Sequence, residues 1–281
     1  MIKKMWSMHP LMAILVKAVC SGLLAAGIIS HQAAAADDAA QWPNGRRPLS
    51  VHEGAAVSST IEKQPVAPRL AKRAYFDLER ASDEARHLAD WVVDSGDNRR
   101  MPFAIVDKTD AKVFVFHADG RLRAAAPALL GLARGDDAVP GIGDRALSSI
   151  RPEDRTTPAG RFVAALDRNL HGKEILWVDY DNAISMHPVL TTNPKERRPQ
   201  RLATPTPLDN RISYGCINVT ANFFANVVRP AFTGTNGIVY VLPETRLARE
   251  QFASYDVAEK ARLQTASQPV LAQVTSGAAR H

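Results

Sequence analysis

Cysteine is nearly absent from this 281-residue chain, which carries only Cys20 and Cys216. An uninterrupted apolar run of about 20 residues, the length a membrane-spanning helix needs, is also missing. Lys17 divides the apolar stretch from Leu11 to Ile29. Aromatic residues make up 6% of the chain and no basic tract is interleaved with them, so nothing points to nucleic acid as a partner. No internal repeat occurs, and the only low-complexity tract is the Ala-rich start, so a stacked-repeat architecture is not expected.

What is present begins with Lys3 and Lys4, then the broken apolar stretch, then Ala33 to Ala36. A basic start, a short apolar middle and small residues at the end describe a secretory signal peptide over residues 1–36. Its removal takes away three Lys and no acid, lowering the net charge from +6 to +3. The mature chain is then mildly basic and weakly drawn to an anionic cell wall. Removal also leaves Cys216 as the single cysteine. An internal disulfide is ruled out, and the remaining thiol is either buried and inert or reactive. The expected product is an exported monomer of the periplasm or cell wall, with no stable membrane span once the signal is cut.

Residues 37–68 are rich in Ala, Pro, Ser and charge without a sustained period, which describes a flexible linker. In 69–100 the residues Leu70, Tyr75, Leu78, Ala81, Ala85, Leu88 and Val92 recur mostly every three or four places, predicting a helical flank, as one amphipathic helix or a broken pair. Residues 101–244 read as a β-rich domain. Short runs at 103–106, 112–116, 161–166, 174–178, 183–186 and 237–242 are separated by Gly, Pro and Asp. The first two predict a hairpin or meander, and the last is apolar at nearly every position, as a strand buried on both faces is. The fold class expected is mainly β, a sandwich or barrel with few helices. Residues 220–228 have helical character, with Asn218 or Thr220 as cap. Pro243 closes the domain in this reading, and 245–281 would be a polar helix and a disordered tail.

Two clusters carry chemistry. In Ser213-Tyr214-Gly215-Cys216-Ile217-Asn218 the glycine allows a sharp turn before a thiol, and the turn can aim N–H groups at an oxyanion. A helix beginning at 218–220 would lower the thiol pKa further. In Ser185-Met186-His187-Pro188 a histidine sits at the end of a predicted strand, where it can serve as base. The Pro188 carbonyl could orient its ring. His171 is the rival base. A third segment, Thr157-Pro158-Ala159-Gly160-Arg161-Phe162, is a turn feeding a strand.

Together these motifs resemble the catalytic domain of the L,D-transpeptidases, the YkuD-like family, over about residues 101–243. That family shows a histidine followed by Ser/Thr-His-Gly-Cys-hydrophobic-Asn, with Thr-Pro-x-Gly-x-Phe upstream. The resemblance implies a β fold around one core, a Cys216 nucleophile and a His187 base. It implies peptidoglycan stem peptides as partners, no metal and no organic cofactor. Acyl transfer from a tetrapeptide stem would form 3-3 cross-links; with water as acceptor the activity would be that of an L,D-carboxypeptidase. The order Cys after His does not fit a papain-like protease. Tyr214 departs from the pattern by replacing a second histidine; it favours a third outcome, a wall-binding protein with an impaired site. Its hydroxyl is expected to position the site by hydrogen bonding, alongside Ser213, Gly215 and Asn218. Arg211 is expected to meet a stem carboxylate. The long basic segment 189–210 is expected to be an insertion or a lid.

Overall fold

The computed structural model describes residues 70–266. The expected signal peptide, the linker and the tail beyond 266 lie outside the described residues. Helix α1 (Asp83–Ser95) begins where Ser82 accepts a hydrogen bond from the Ala85 N–H and places Asp83 and Glu84 in its first turn. The helix predicted upstream of it does not form. Tyr75 instead bridges Arg121, taking the Leu122 N–H at 2.8 Å and donating to the Gly120 carbonyl at 2.9 Å. Leu70 and Leu78 are exposed, so the apparent apolar period counted side chains that bury nothing.

Ten strands follow: β1 (Phe103–Asp107), β2 (Lys112–Phe116), β3 (Leu122–Pro127), β4 (Leu130–Gly131), β5 (Gly160–Arg168), β6 (Glu174–Asp179), β7 (Ile184–Pro188), β8 (Arg211–Ser213), β9 (Ile217–Val219) and β10 (Gly237–Val241). Between β7 and β8 lies helix α2 (Arg198–Ala203). After β9 come α3 (Ala221–Phe223), a π turn (Phe224–Val228) and α4 (Arg229–Phe232); after β10 come α5 (Ala248–Phe252) and α6 (Val257–Ala266). Eight strands form one sheet in the order β3-β2-β1-β10-β5-β6-β7-β9, while β4 pairs with β8. The fold is mainly β, as the composition of the runs predicts.

The sheet bends because β5 serves two neighbours. Gly160 to Ala164 pair with β10, and Ala165 to Arg168 pair with β6. The two halves thus fold over one core, where Val106, Val113, Val115 and Val239 meet Leu176, Met186, Ile217 and Phe224. The other face of β1, β2 and β10 is buried too. Phe103, Phe114, Ile238 and Tyr240 lie under Leu88 and Val92 of α1 and under Ala248 and Val257. This double burial accounts for the unbroken apolar pattern of β10. The edges nearly meet, for just past β3 Leu129 exchanges two 2.8 Å backbone hydrogen bonds with Asn218 of β9. The sheet is therefore almost a closed ring, which hides its edges.

Pro243 does not end the domain. Glu244 is buried, and α5 and α6 complete the outer core. Glu244 belongs to a buried ion cluster. The Lys108 ammonium, with no solvent exposure, donates to Asp136 at 2.8 Å, to the Gly135 carbonyl and to the Thr157 carbonyl. Asp136 also accepts from the N–H groups of Glu244 and Thr245. Burial pushes the Asp136 carboxyl up, but Lys108 and Thr245 outweigh it and hold it far below the usual range. Burial pulls Lys108 below its ordinary value despite the two acids beside it. Among the described residues no helix is long and apolar enough to cross a membrane.

Candidate active site

Strand pleat and register explain how the site assembles. β7 and β9 run parallel, pairing Met186 with Ile217 and His187 with Asn218. Alternate residues point to opposite faces. Met186 and Ile217 are fully buried in the core. Ser185, His187, Cys216 and Asn218 therefore face the other way, and all four line one cavity of about 620 Å³.

The thiol sits among Ser185, whose Oγ is 3.7 Å from Sγ, the Ala183 carbonyl at 3.8 Å, and the imidazole. The His187 Nδ1–H donates to the Pro188 carbonyl at 2.8 Å. That bond fixes the tautomer and leaves Nε2 as the working nitrogen. Burial pushes the Cys216 thiol up, but the hydrogen bond and charge of His187, with Ser185, more than reverse this, and the thiol lies below its ordinary value. Burial likewise pulls His187 down, but Cys216 and the Pro188 carbonyl raise it above the usual imidazole range, against a smaller opposing effect of the Arg198 charge. The two shifts are one fact: each group draws the other toward its charged form. Strand β9 separates Cys216 from the helix that Thr220 caps, so the imidazole rather than a helix terminus depresses the thiol.

The turn that presents Cys216 is held from below. Thr157, fully buried, accepts from the Gly131 N–H at 2.9 Å and donates to the Gly215 carbonyl at 2.7 Å. Gly215 has φ +126°, and a Cβ there would lie 2.7 Å from the Thr156 carbonyl oxygen; only glycine fits. Ser213 Oγ accepts the Gly215 N–H at 3.1 Å and donates to the Cys216 carbonyl at 2.6 Å. The Gly215 N–H is thus taken up in shaping the turn.

Asn218, fully buried, places Nδ2 3.3 Å from both His187 Nε2 and the Cys216 carbonyl. Its Oδ1 accepts from Arg198 Nη1 at 2.7 Å. Arg198 opens α2 and lines the cavity, so the segment 189–210 is no mere surface insertion. Reasoning from sequence missed Arg198, which lies in a basic run that resembles a solvated loop.

Two expectations change, those for Arg211 and Tyr214. Arg211 does not line the cavity. Its guanidinium grips Glu244 through two hydrogen bonds, at 2.6 and 3.1 Å, and donates to the Lys108 carbonyl. The Tyr214 hydroxyl has no hydrogen-bond partner among the described residues; its ring lies 3.9 Å from the Arg155 guanidinium, which the Ile150 carbonyl holds in place. Ring stacking, not hydroxyl bonding, is what Tyr214 contributes. His171 is exposed in the β5–β6 turn and is no rival to His187. Among the described residues no cluster of three His, Cys, Asp or Glu side chains could hold a metal ion.

No protein-family profile and no curated protein sequence matches the chain. Solved structures similar to it include the helical cell shape determining protein Pgp2 from Campylobacter jejuni, at 16% identity and a TM-score of 0.33, over 58% of this chain and 53% of that one. An L,D-transpeptidase from Mycobacterium tuberculosis matches at 15% identity and 0.32, over 50% of this chain and 57% of that one. The catalytic domain of the E. faecium L,D-transpeptidase matches at 14% identity and 0.27, over 51% of this chain and 98% of that one. The chain thus spans about half the length of the Pgp2 structure it resembles.

Proposed function

We propose that the chain is an exported cysteine acyltransferase of the cell envelope, a peptidoglycan L,D-transpeptidase. The observation that carries this reading is the Cys216 and His187 pair, mutually shifted toward thiolate and imidazolium, on the wall of a cavity of about 620 Å³. The motifs around both residues supply the substrate class. The thiolate attacks the carbonyl carbon after the third residue of a tetrapeptide stem, and the electron pair moves to the carbonyl oxygen. Collapse breaks the C–N bond. The imidazolium gives its proton to the departing amine, and D-Ala leaves. The thioester is then attacked by the side-chain amine of a second stem. Imidazole takes that amine's proton, and the thiolate is released with a 3-3 cross-link formed. Water in place of the amine would make the product a free tripeptide.

The test is intact-mass measurement of the protein after incubation with a disaccharide tetrapeptide, with analysis of released products. The expected outcome is a thioester adduct on wild type, none on a folded Cys216→Ala protein, and cross-linked product. A wild-type rate of cross-linking by Cys216→Ala would refute the mechanism. Hydrolysis without cross-linking would convert the reading to a carboxypeptidase. No adduct, even with a carbapenem, would leave a wall-binding protein.

A further inference from the structure

Besides His187, Arg198 is the one basic side chain of the cavity wall among the described residues that is mostly buried, being 12% exposed. The other two, Lys173 and Arg229, belong to open surface, and Arg229 is half exposed and faces Glu174. The Arg198 guanidinium is held rigidly at two points: Nε donates to the Glu196 carboxylate and Nη1 to Asn218 Oδ1. Five N–H groups are available on a guanidinium, and Nη2 has no acceptor among the described residues. Nη1 spends one of its two N–H groups on Asn218, so its second N–H and those of Nη2 remain to meet a carboxylate. Much of the surrounding wall is apolar, with Ile175, Trp177, Pro188, Leu190 and Phe224 offering no acceptor side chain.

Position says which anion fits. Asn218 links the guanidinium to the Cys216 and His187 pair, touching Arg198 with Oδ1 and both His187 and the Cys216 carbonyl with Nδ2. In a peptide attacked at its last bond, the terminal carboxylate lies only three bonds beyond the attacked carbon, roughly 4 Å. We propose that Arg198 reads the free α-carboxylate of the residue that leaves, so that the site accepts an acyl donor cut one residue from its C-terminus and rejects one whose end is blocked. This is a specificity role within the acyl-transfer reading above and rests on it. Glu196 and Asn218 hold the guanidinium in place, and segment 189–210 exists in the fold to bring it there.

The experiment compares thioester formation from the tetrapeptide L-Ala-γ-D-Glu-diaminopimelate-D-Ala as the free acid and as its C-terminal carboxamide. Wild type, Arg198→Gln and Arg198→Lys are measured by intact mass. Both peptides meet the same nucleophile, so their ratio cancels any change in thiol reactivity or folded fraction. Iodoacetamide alkylation of Cys216 is followed in parallel. Wild type should prefer the acid by roughly ten- to a hundredfold, the value of a partly desolvated charge-assisted pair. Arg198→Gln should bring the ratio to within about twofold of one, and Arg198→Lys, a point charge without the fork, should fall between. Equal use of acid and amide by wild type overturns the proposal, as does a wild-type ratio in Arg198→Gln. Either result leaves acyl transfer standing. Acylation by neither peptide, with the thiol still alkylated, overturns the acyl-transfer reading and this inference with it.

Discussion

Replacing His187 with Gln isolates what the imidazole does to the thiol. Burial is the largest influence on Cys216 and pushes its pKa up; the hydrogen bond and charge of His187 reverse it. With the ring gone, the thiol should titrate at or above the ordinary value of about 8.5, leaving at most about 3% thiolate at pH 7. Alkylation by iodoacetamide follows the thiolate, so from a fully ionised wild-type thiol its rate at pH 7 should fall by roughly thirtyfold or more, and its midpoint should move to higher pH. Acylation should fall further, by about 10²- to 10⁴-fold, because the departing amine also loses its proton donor. The signs fix the wild-type profile. The thiol is depressed, so activity should appear, as pH rises, below the ordinary thiol value. His187 is raised, so the imidazolium needed by the leaving group should persist above the ordinary imidazole value and activity should decline only beyond it. A His187→Gln protein with the wild-type alkylation midpoint would show that the imidazole does not govern the thiol, and the pairing argument would fail.

Four further outcomes can be checked. Thr157→Val keeps the shape but leaves the Gly131 N–H and Gly215 carbonyl without their partner, which should cost about 2–5 kcal/mol; a protein melting with wild type would remove Thr157 from its anchoring role. Gly215→Ala forces a Cβ against the Thr156 carbonyl at positive φ, so stem acylation should be lost, and retained acylation would show that the turn can adapt. Tyr214→Phe should match wild type in melting and alkylation, whereas Tyr214→Ala should lose about 0.5–1 kcal/mol with the ring beneath Arg155; a large defect in the Phe variant would restore a role to the hydroxyl. Lys108→Met leaves Asp136 and Glu244 buried without their central cation and should cost about 3–5 kcal/mol, read as a melting temperature lower by on the order of 10 °C; an unchanged melt would show that the cluster stabilises nothing.

The juxtaposition of Cys216 and His187 was legible because its signals are local. A glycine before a lone thiol and a histidine closing an apolar run are both visible within six residues, and β7 and β9 bring them together in simple parallel register. The strands β1, β2, β5, β6, β7 and β10 were legible for the same reason. What escaped depends on distance along the chain. Arg211 looks like a substrate ligand from its place beside the motif, yet its partner Glu244 lies 33 residues on, past the proline that seemed to end the domain. Thr157 reaches across 58 residues to Gly215, and nothing in its own turn announces that. Arg198 stands in a run of charges whose solvated and inward members have identical composition, and only packing separates them. The upstream helix failed for a different reason. A helical period is satisfied equally by Leu70 and Leu78 in coil, where they bury nothing, while the real boundary signal was Ser82 with two acids behind it.

The seam between Leu129 and Asn218 bears on the order in which the molecule acquires its reactivity. Those two residues are far apart in sequence, and bringing them together is among the costlier loop closures in the fold. Late, non-local pairings of this kind set the pace of β-protein folding. Asn218 is two residues from Cys216 and touches the imidazole, so the thiol lies beside the seam that closes the ring. Until β7 and β9 pair, the thiol has no imidazole held beside it and is an ordinary, largely protonated sulfhydryl. The unfolded chain would therefore carry a quiet thiol, and chemical potency would arrive only with topological completion.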